Sequence, residues 1–575
     1  MWSIIKQILP LVEKPFRYIG GEVGIAGKNW DQAKVRICLA FPDVYELAMS
    51  NTGLPILYNI VNNHPDFLAD RVYTPWPDMA FQLKQNKLPL FSLDHKRAVA
   101  DFEVLGITLP YELSYTNVIN ILDLAGIPFY SKDRNESYPL IIGGGPCAFN
   151  PEPVAPFFDA IVLGDGEQTI IQILEIVKIV KTRREQLNQL SQIQGVYVSS
   201  LGQEQQVHKS TVDDLEAVSY PTHPVVPYAA AHNRAGIEVS RGCQRGCRFC
   251  QAGFVYRPLR HRSVATAVNL AKENLASTGQ EDFSFLSLSL SDYPEFCNLL
   301  KATQEATKNQ YVNPQFPSLR AESLSDETLD IIKKARSGSF TLAPEAGTER
   351  MRQIINKGNT DEDLYASVQK IFSSGWHRVK LYFMIGLPGE NEEELAGIVK
   401  ISKHCLAIGK KHNRRAEVTV STSIFVPKAH TPFQWVSQIS MAEAQAKIAY
   451  LQKQLKGRGL SYRWHNSQMS FLEGVLARGG QELAPVLVEA YKSGQYFSGW
   501  DEYFNLEKWQ AALSQFGINP EQYLKARDQD AKLPWDHLYV DLKKKFLWQE
   551  YEKSLKGQTS PICSLSNCLG CGVCK

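Results

Sequence analysis

A chain of 575 residues with 62 Lys and Arg against 60 Asp and Glu has a formal net charge of only +2, which removes any bulk electrostatic case for nucleic acid or an anionic membrane as a partner. With 44% hydrophobic and 21% charged residues it has an ordinary globular composition, long enough for roughly three or four domains. No apolar run reaches the length of a membrane span, and residues 1–15 mix apolar residues with Lys6, Glu13 and Lys14 and carry no secretory cleavage signature, so the expected location is the cytoplasm.

Residues 35–40, 102–107, 140–145 and 160–164 read as buried strands, with helical stretches between them such as 115–125, closed by Gly126. That alternation predicts a doubly wound parallel sheet over residues 1–195, covered on both faces. Ligands of such sheets bind beyond the carboxyl ends of the strands. Gly143-Gly144-Gly145-Pro146 and Gly164-Asp165-Gly166-Glu167 fall there, either as backbone cradles for a nucleotide-like group or as plain tight turns. A polar connector follows over residues 196–232, stiffened by Pro221, Pro224 and Pro227.

The most informative stretch is Gly242-Cys243-Gln244-Arg245-Gly246-Cys247-Arg248-Phe249-Cys250, directly after a strand-like run at 236–240. Thiolates this close can converge on one metal centre, and the two glycines let the backbone fold around it. Three cysteines are one ligand short of a closed zinc site or a fully ligated cubane, which leaves a metal position open to a substrate. A zinc site completed by a distant histidine is the alternative.

Beyond the loop, a helix over 264–275 leads to a strand over 282–290. Leu286, Leu288 and Leu290 share one face, expected against helices; Phe283, Phe285, Ser287, Ser289 and Ser291 share the other, where the small serines would leave room for a ligand. Further strands are expected at 318–321, 340–343, 378–385 and 418–426. The helices between them begin at Pro294, at Ser325 (closed by Gly338), at Thr360-x-x-Asp363, at Asn391 and at Ser440-x-x-Glu443. Arg320 and Glu322, and Lys380 and Tyr382, share strand parity and are candidates for the interior. Residues 461–465 read as one more strand. The region 461–555 is mainly helical, with large apolar residues including Phe471, Leu472, Trp500, Tyr503, Phe504 and Trp509, expected as a packed cover on the preceding domain or a docking surface.

The tail, residues 556–575, carries Cys563-x4-Cys568-x2-Cys571-x2-Cys574, a complete set of four thiolates for a second [4Fe–4S] cluster or for zinc. The remaining cysteines, Cys38, Cys147, Cys297 and Cys405, are scattered in apolar runs and read as reduced core thiols, the usage of a reducing compartment.

Cys-x3-Cys-x2-Cys with Phe249 before its last cysteine resembles the radical S-adenosylmethionine (SAM) superfamily. The resemblance implies an open (β/α)6 partial TIM barrel over residues 233–460. It implies a [4Fe–4S] cluster on Cys243, Cys247 and Cys250, whose fourth iron is chelated by the amino and carboxylate groups of SAM. One electron, from a donor of the flavodoxin or ferredoxin type, then splits SAM into methionine and a 5′-deoxyadenosyl radical that takes hydrogen from a substrate. It also implies SAM contacts at Phe249, at Ser291 and Asp292 in place of the usual Gly-Gly-Glu, at Glu345, and at Ile385 and Gly386. The substrate is open, RNA or protein by analogy.

The first 195 residues resemble the cobalamin-binding domain that precedes this core in one large branch. The features are Arg17-Tyr18-Ile19-Gly20-Gly21-Glu22, Phe41-Pro42-Asp43-Val44-Tyr45-Glu46 and Pro75-Trp76-Pro77-Asp78-Met79. The Asp-x-His-x-x-Gly motif that ligates cobalt is missing; only His64 and His95 occur here. Either cobalamin binds without that histidine or the domain is a relic of the fold. Cobalamin-dependent methyl transfer is thus a second enzymatic reading. Methylthio transfer is disfavoured, because this half has only Cys38 and Cys147 where those enzymes carry three cluster cysteines. A zinc-stabilised RNA-binding or scaffold protein is the reading of another class.

Overall fold

The computed structural model describes residues 1–203, 205–308, 312–315, 320, 340–564 and 567–574. The expected strand at 318–321, apart from Arg320, the helix from Ser325 to Gly338, and Glu322 lie outside the described residues. Among the described residues no helix is long and apolar enough to cross a membrane.

The N-terminal sheet contains β1 (Val35–Phe41), β2 (Phe67–Tyr73), β3 (Val104–Thr108), β4 (Leu140–Gly144), β5 (Ala160–Val162) and β6 (Val196–Tyr197) in the order β2-β1-β3-β4-β5-β6. All neighbours are parallel except β5 and β6. The order reverses between β1 and β3, the switch point at which doubly wound sheets take their ligands.

Two features depart from expectation. β2 is a fully buried strand that carries charges in its middle. Asp70 accepts the backbone N–H groups of Asp94 (2.8 Å) and His95 (2.9 Å), and Arg71 pairs with Glu22 (3.1 Å) and Asp94 (2.6 Å). Partners distant in sequence satisfy both charges, so a charged run lies in the core. The sheet also extends into the expected connector, because β6 adds to its edge.

A short pair, β7 (Val207–His208) with β17 (Leu538–Tyr539), ties the connector to the C-terminal region. The core begins with β8 (Ala235–Glu238), β9 (Ser240–Arg241) and β10 (Arg260–His261), followed by β11 (Asp282–Leu286) and β12 (Asn313–Gln315). β12-β11-β8 form one parallel sheet; β13 (Phe340–Glu345), β14 (Arg378–Ile385), β15 (Glu417–Ile424) and β16 (Leu460–Trp464) form a second. A single continuous six-stranded barrel wall is therefore not seen among the described residues. β16 is the extra strand expected near 461–465.

The strand expected over 282–290 ends at Leu286, and its faces are reversed. Phe283 and Phe285 share an apolar cluster with Leu270, Ala271, Leu299 and Leu300 of the helices Val264–Thr278 and Phe296–Thr307. Aromatic rings bury the most area and take the side that covers them. Leu288 is 44% exposed, and Leu290 is buried in a following turn. The helix starts expected at Thr360, Asn391 and Ser440 all form, and each is closed by a capping box. Lys380 and Tyr382 do share a face, with the ammonium 4.3 Å from the ring centre.

The C-terminal helices, among them Ser467–Arg478, Ala484–Lys492 and Leu506–Gln515, do not simply cap the core. They share one large apolar cluster with the N-terminal domain, from Val118 and Ile121 of its helix Tyr115–Leu124 to Val486, Leu487 and Trp509. Lys428 of the core pairs at once with Glu112 of the N-terminal domain (2.6 Å) and Glu473 of the C-terminal region (2.8 Å).

Candidate functional site

The three-cysteine loop is an excursion between β9 and β10, which pair antiparallel at its base, Arg241 opposite Arg260. Gly242 has φ +90°, and a Cβ there would lie 2.4 Å from the Pro258 carbonyl oxygen, so only glycine can start this loop. Arg241 is gripped by Asp165 (2.9 Å), Glu167 (2.7 Å) and Glu238 (3.0 Å), and Asp165 also holds Arg260 (2.6 Å). Burial works to raise the Asp165 carboxyl, but Arg241, Arg260 and the Val212 N–H hold it below its ordinary range. The Gly164-Asp165-Gly166-Glu167 turn is thus no nucleotide cradle. Its carboxylates anchor the cysteine loop from the neighbouring domain.

Inside the loop, the Arg245 N–H points to Cys243 Sγ (3.4 Å), and the Cys250 N–H to the Cys247 carbonyl (3.0 Å). Arg257 donates to the Arg245 carbonyl (3.0 Å) and Asn356 to the Gly246 carbonyl (3.1 Å). Arg248 is completely buried; its guanidinium meets the Ile354 carbonyl (2.8 Å) and Glu550 (3.2 Å). Burial pushes the Cys250 thiol up to about 12, with Cys247 adding to the effect, and burial also raises Cys243. Among the described residues, no three His, Cys, Asp or Glu side chains converge tightly enough to hold an ion. The donor chemistry nevertheless suits an iron–sulfur cluster: three thiols within eight residues, on one loop tied down at its base and along its length.

The expected SAM-contacting residues are distributed unevenly around this loop. Asp292 lines a narrow crevice of about 10 Å³ with Cys243, Ser287 and Ser289, and takes a fork from Arg245 (Nε to Oδ2 2.9 Å). Burial works to raise its carboxyl, and Arg245 outweighs that to lower it. Ser291 Oγ accepts the Arg320 N–H (3.3 Å). Glu345 ends β13 at a register break with φ +69°, a conformation that costs a non-glycine residue free energy; its carboxylate pairs with Lys357 (3.2 Å) and lies within electrostatic reach of Cys250. Phe249 packs against a cluster that includes Met351, Leu387 and Phe425. Ile385 is buried and its carbonyl accepts the Phe425 N–H (2.9 Å). Gly386 N–H is bound by Glu390 (3.0 Å), itself paired with Lys447 (2.7 Å). So Asp292 comes to Cys243 and Glu345 is held by Lys357, whereas the Ile385 carbonyl is taken by Phe425 and the Gly386 N–H by Glu390. The sequence reading missed Arg241, Arg245, Arg248 and Asn356. Each of the three arginines lies within two residues of a cysteine of the motif, and that proximity is their signal.

The crevice beyond the carboxyl ends of β1 and β3, where cobalamin would lie in this fold, is filled by the chain itself. Asp43 is fully buried there, bonded by Tyr111 and by Trp500 Nε1 (3.2 Å). Phe497 and Trp500 pack tilted and edge-on against Trp76, with ring centres 4.8 and 5.1 Å away. Asn117 bridges the Pro42 carbonyl (2.8 Å) and the Phe497 N–H (2.6 Å). The three N-terminal motifs meet here and use their polar groups on one another: Arg17 with Glu46 (2.8 Å), Tyr45 with Glu22 (2.9 Å), the Trp76 N–H with Tyr18 (3.0 Å). Neither histidine faces this place. His64 stacks on Phe67 at 4.2 Å, by the start of β2, and His95 is held by Asp70 (3.1 Å) and the Lys28 carbonyl (2.8 Å). At this place these side chains leave no room for a corrin.

Comparison with known proteins places these observations. A family described as radical SAM proteins, N-terminal, matches residues 53–199, and the radical SAM superfamily matches residues 237–401. The uncharacterized protein MJ0966 of Methanocaldococcus jannaschii is 27% identical over 464 residues, 78% of this chain and 90% of that protein. The ribosomal protein uS12 methylthiotransferase RimO of Desulfotalea psychrophila is 24% identical over 308 residues, 51% of this chain and 65% of RimO. The threonylcarbamoyladenosine tRNA methylthiotransferase MtaB of Treponema pallidum is 27% identical over 181 residues, 30% of this chain and 36% of MtaB. Among solved structures, the cobalamin-dependent S-adenosylmethionine radical enzyme OxsB with aqua-cobalamin bound is similar in fold, with a TM-score of 0.51 and 13% identity over 91% of this chain and 80% of that one.

Proposed function

Because the chain is a radical SAM superfamily protein with an N-terminal cobalamin-binding-like domain and a radical SAM catalytic domain, we propose that it cleaves SAM reductively at a [4Fe–4S] cluster on Cys243, Cys247 and Cys250, and does so without cobalamin. The observation that carries this reading is the three-cysteine loop, pinned at its base by the Arg241 cluster and along its length by Arg248, Arg257 and Asn356. When bound, the cluster supplies one electron to the sulfonium of SAM and so generates the 5′-deoxyadenosyl radical. The chain's own residues seat the loop, enclose it and orient SAM. Asp292 stands beside Cys243 to receive the amino group of SAM, after Arg245 releases it. Glu345, whose carboxylate pairs with Lys357, is read as a contact for the ribose hydroxyls. The two parallel sheets of the core are read as parts of one open (β/α)6 barrel, with the cysteine loop at the carboxyl ends of its strands.

A macromolecular substrate is supported by the relatives, whose names place their chemistry on tRNA and on a ribosomal protein. Methylthio transfer itself is not supported, since Cys38 and Cys147 are both buried. The test is anaerobic reconstitution with iron and sulfide, then dithionite and SAM. Formation of 5′-deoxyadenosine and methionine in equal amounts is the expected result; a colourless zinc protein that leaves SAM intact would overturn the reading.

The filled crevice makes a separate prediction. Protein incubated with hydroxocobalamin and passed through a desalting column should retain no corrin absorbance. Stoichiometric retention would show that the aromatic plug moves aside. Phe497→Ala should cost about 3–5 kcal/mol in denaturant unfolding, because the ring is fully buried.

A further inference from the structure

We propose that Cys563, Cys568, Cys571 and Cys574 hold a second [4Fe–4S] cluster directly against the first cysteine loop, where it is the electron's way into the site. The placement rests on the reading of the first loop given above.

The tail is laid along that loop by specific contacts. The helix Lys544–Leu555 presents Glu550 to Arg248 (3.2 Å), between Cys247 and Cys250 in sequence. Arg248 also reaches the Gln558 carbonyl (2.7 Å). Asn356 accepts the Ser560 N–H (2.9 Å) while donating to Gly246, so one side chain spans tail and loop. The Cys563 N–H then bonds the carbonyl of Gln244 (3.1 Å), the residue after Cys243. Turns at Gly570 (φ +68°) and Gly572 (φ +104°) fold the chain back, and Cys571 is buried with its carbonyl on the Lys543 N–H (2.9 Å).

Four thiolates complete a cubane, so this centre offers no iron to SAM; it can only pass an electron or fasten the tail. Fastening is already provided by Glu550, Asn356, Gln244 and Lys543. A redox centre is what the cysteines add. Cys568 and Cys574 are exposed and Cys571 is buried, so one side meets solvent and the other the protein. The Gly570 N–H on Cys568 Sγ (3.4 Å) is of the kind that tunes cluster potentials. One electron arrives from a soluble low-potential donor of the ferredoxin or flavodoxin class and one leaves toward the first cluster. The second cluster returns to its oxidised state, with no proton or group transferred.

The test is iron and acid-labile sulfide analysis with EPR on the anaerobically reconstituted full chain. The wild type should carry about eight irons, and its fully reduced spectrum should show spin–spin coupling between neighbouring clusters. Cys568→Ser/Cys574→Ser, at exposed positions, should drop to about four irons, lose the coupling and keep an EPR signal that shifts on adding SAM. Cys243→Ala/Cys247→Ala/Cys250→Ala should also keep about four irons, with a signal blind to SAM. Zinc in the wild-type tail, only about four irons in the wild type, or two clusters without magnetic coupling would each overturn the proposal. A tail variant that loses all its iron would instead sink the reading of the first loop.

Discussion

Cys247→Ala is expected to reduce 5′-deoxyadenosine formation to background and to remove about four irons per chain, with little change in stability. Cys247 is only partly buried, so its truncation leaves no sizeable cavity, and its sulfur is one of three that the cluster needs. The same loss is expected for Cys243 and Cys250, which are likewise only partly buried. Cys405→Ala is the contrasting control. That thiol is buried in the helix Glu392–His412, away from the loop, so stability should fall slightly while SAM cleavage persists. The measurements are the deoxynucleoside yield and iron content of each reconstituted variant. A Cys247→Ala protein that still turns over SAM at the wild-type rate would remove the loop from the mechanism.

The second large effect belongs to Asp165, outside the SAM domain. Asp165→Ala should destabilise the chain by about 3–5 kcal/mol, because it leaves the side chains of Arg241 and Arg260 without a shared buried partner. Glu167 and Glu238 remain on Arg241, so the cost should lie toward the lower end. The pH dependence has a definite sign. The Asp165 carboxyl titrates lower in the folded chain than in the unfolded one. Its contribution is therefore complete above the unfolded value of about 4 and disappears as pH falls through the folded value. Urea unfolding from pH 6 downward should show a wild-type acid loss that is shallower in Asp165→Ala. Equal slopes would mean that Asp165 does not carry this linkage. Cluster loading should fall in the variant too, since Arg241 is the residue before Gly242 and aims the loop.

What could be read directly from the chain is what depends on near neighbours. The cysteine spacing needs no partner from elsewhere, and the capping boxes at Thr360, Asn391 and Ser440 close within three residues. The apolar runs at β1, β3, β4 and β5 are strands because their own side chains demand burial on both faces. β2 escaped the same reading because Asp70 and Arg71 find their partners at Glu22, Asp94 and His95. Phe283 and Phe285 were put on the wrong side because alternation shows that two faces differ, not which one the helices will cover.

By itself, then, the sequence determined the cysteine spacings, the strand–helix alternation and the superfamily. Only the tertiary structure decided that the Asp165 turn is an anchor instead of a cradle, that Phe497 and Trp500 close the place a corrin would need, and that the cysteine tail lies on the first loop. The division has one physical cause. A covalent spacing or a helix cap is set within a few bonds, whereas a buried charge, a filled crevice or a docked tail depends on groups hundreds of residues away, whose arrival only the packed core dictates.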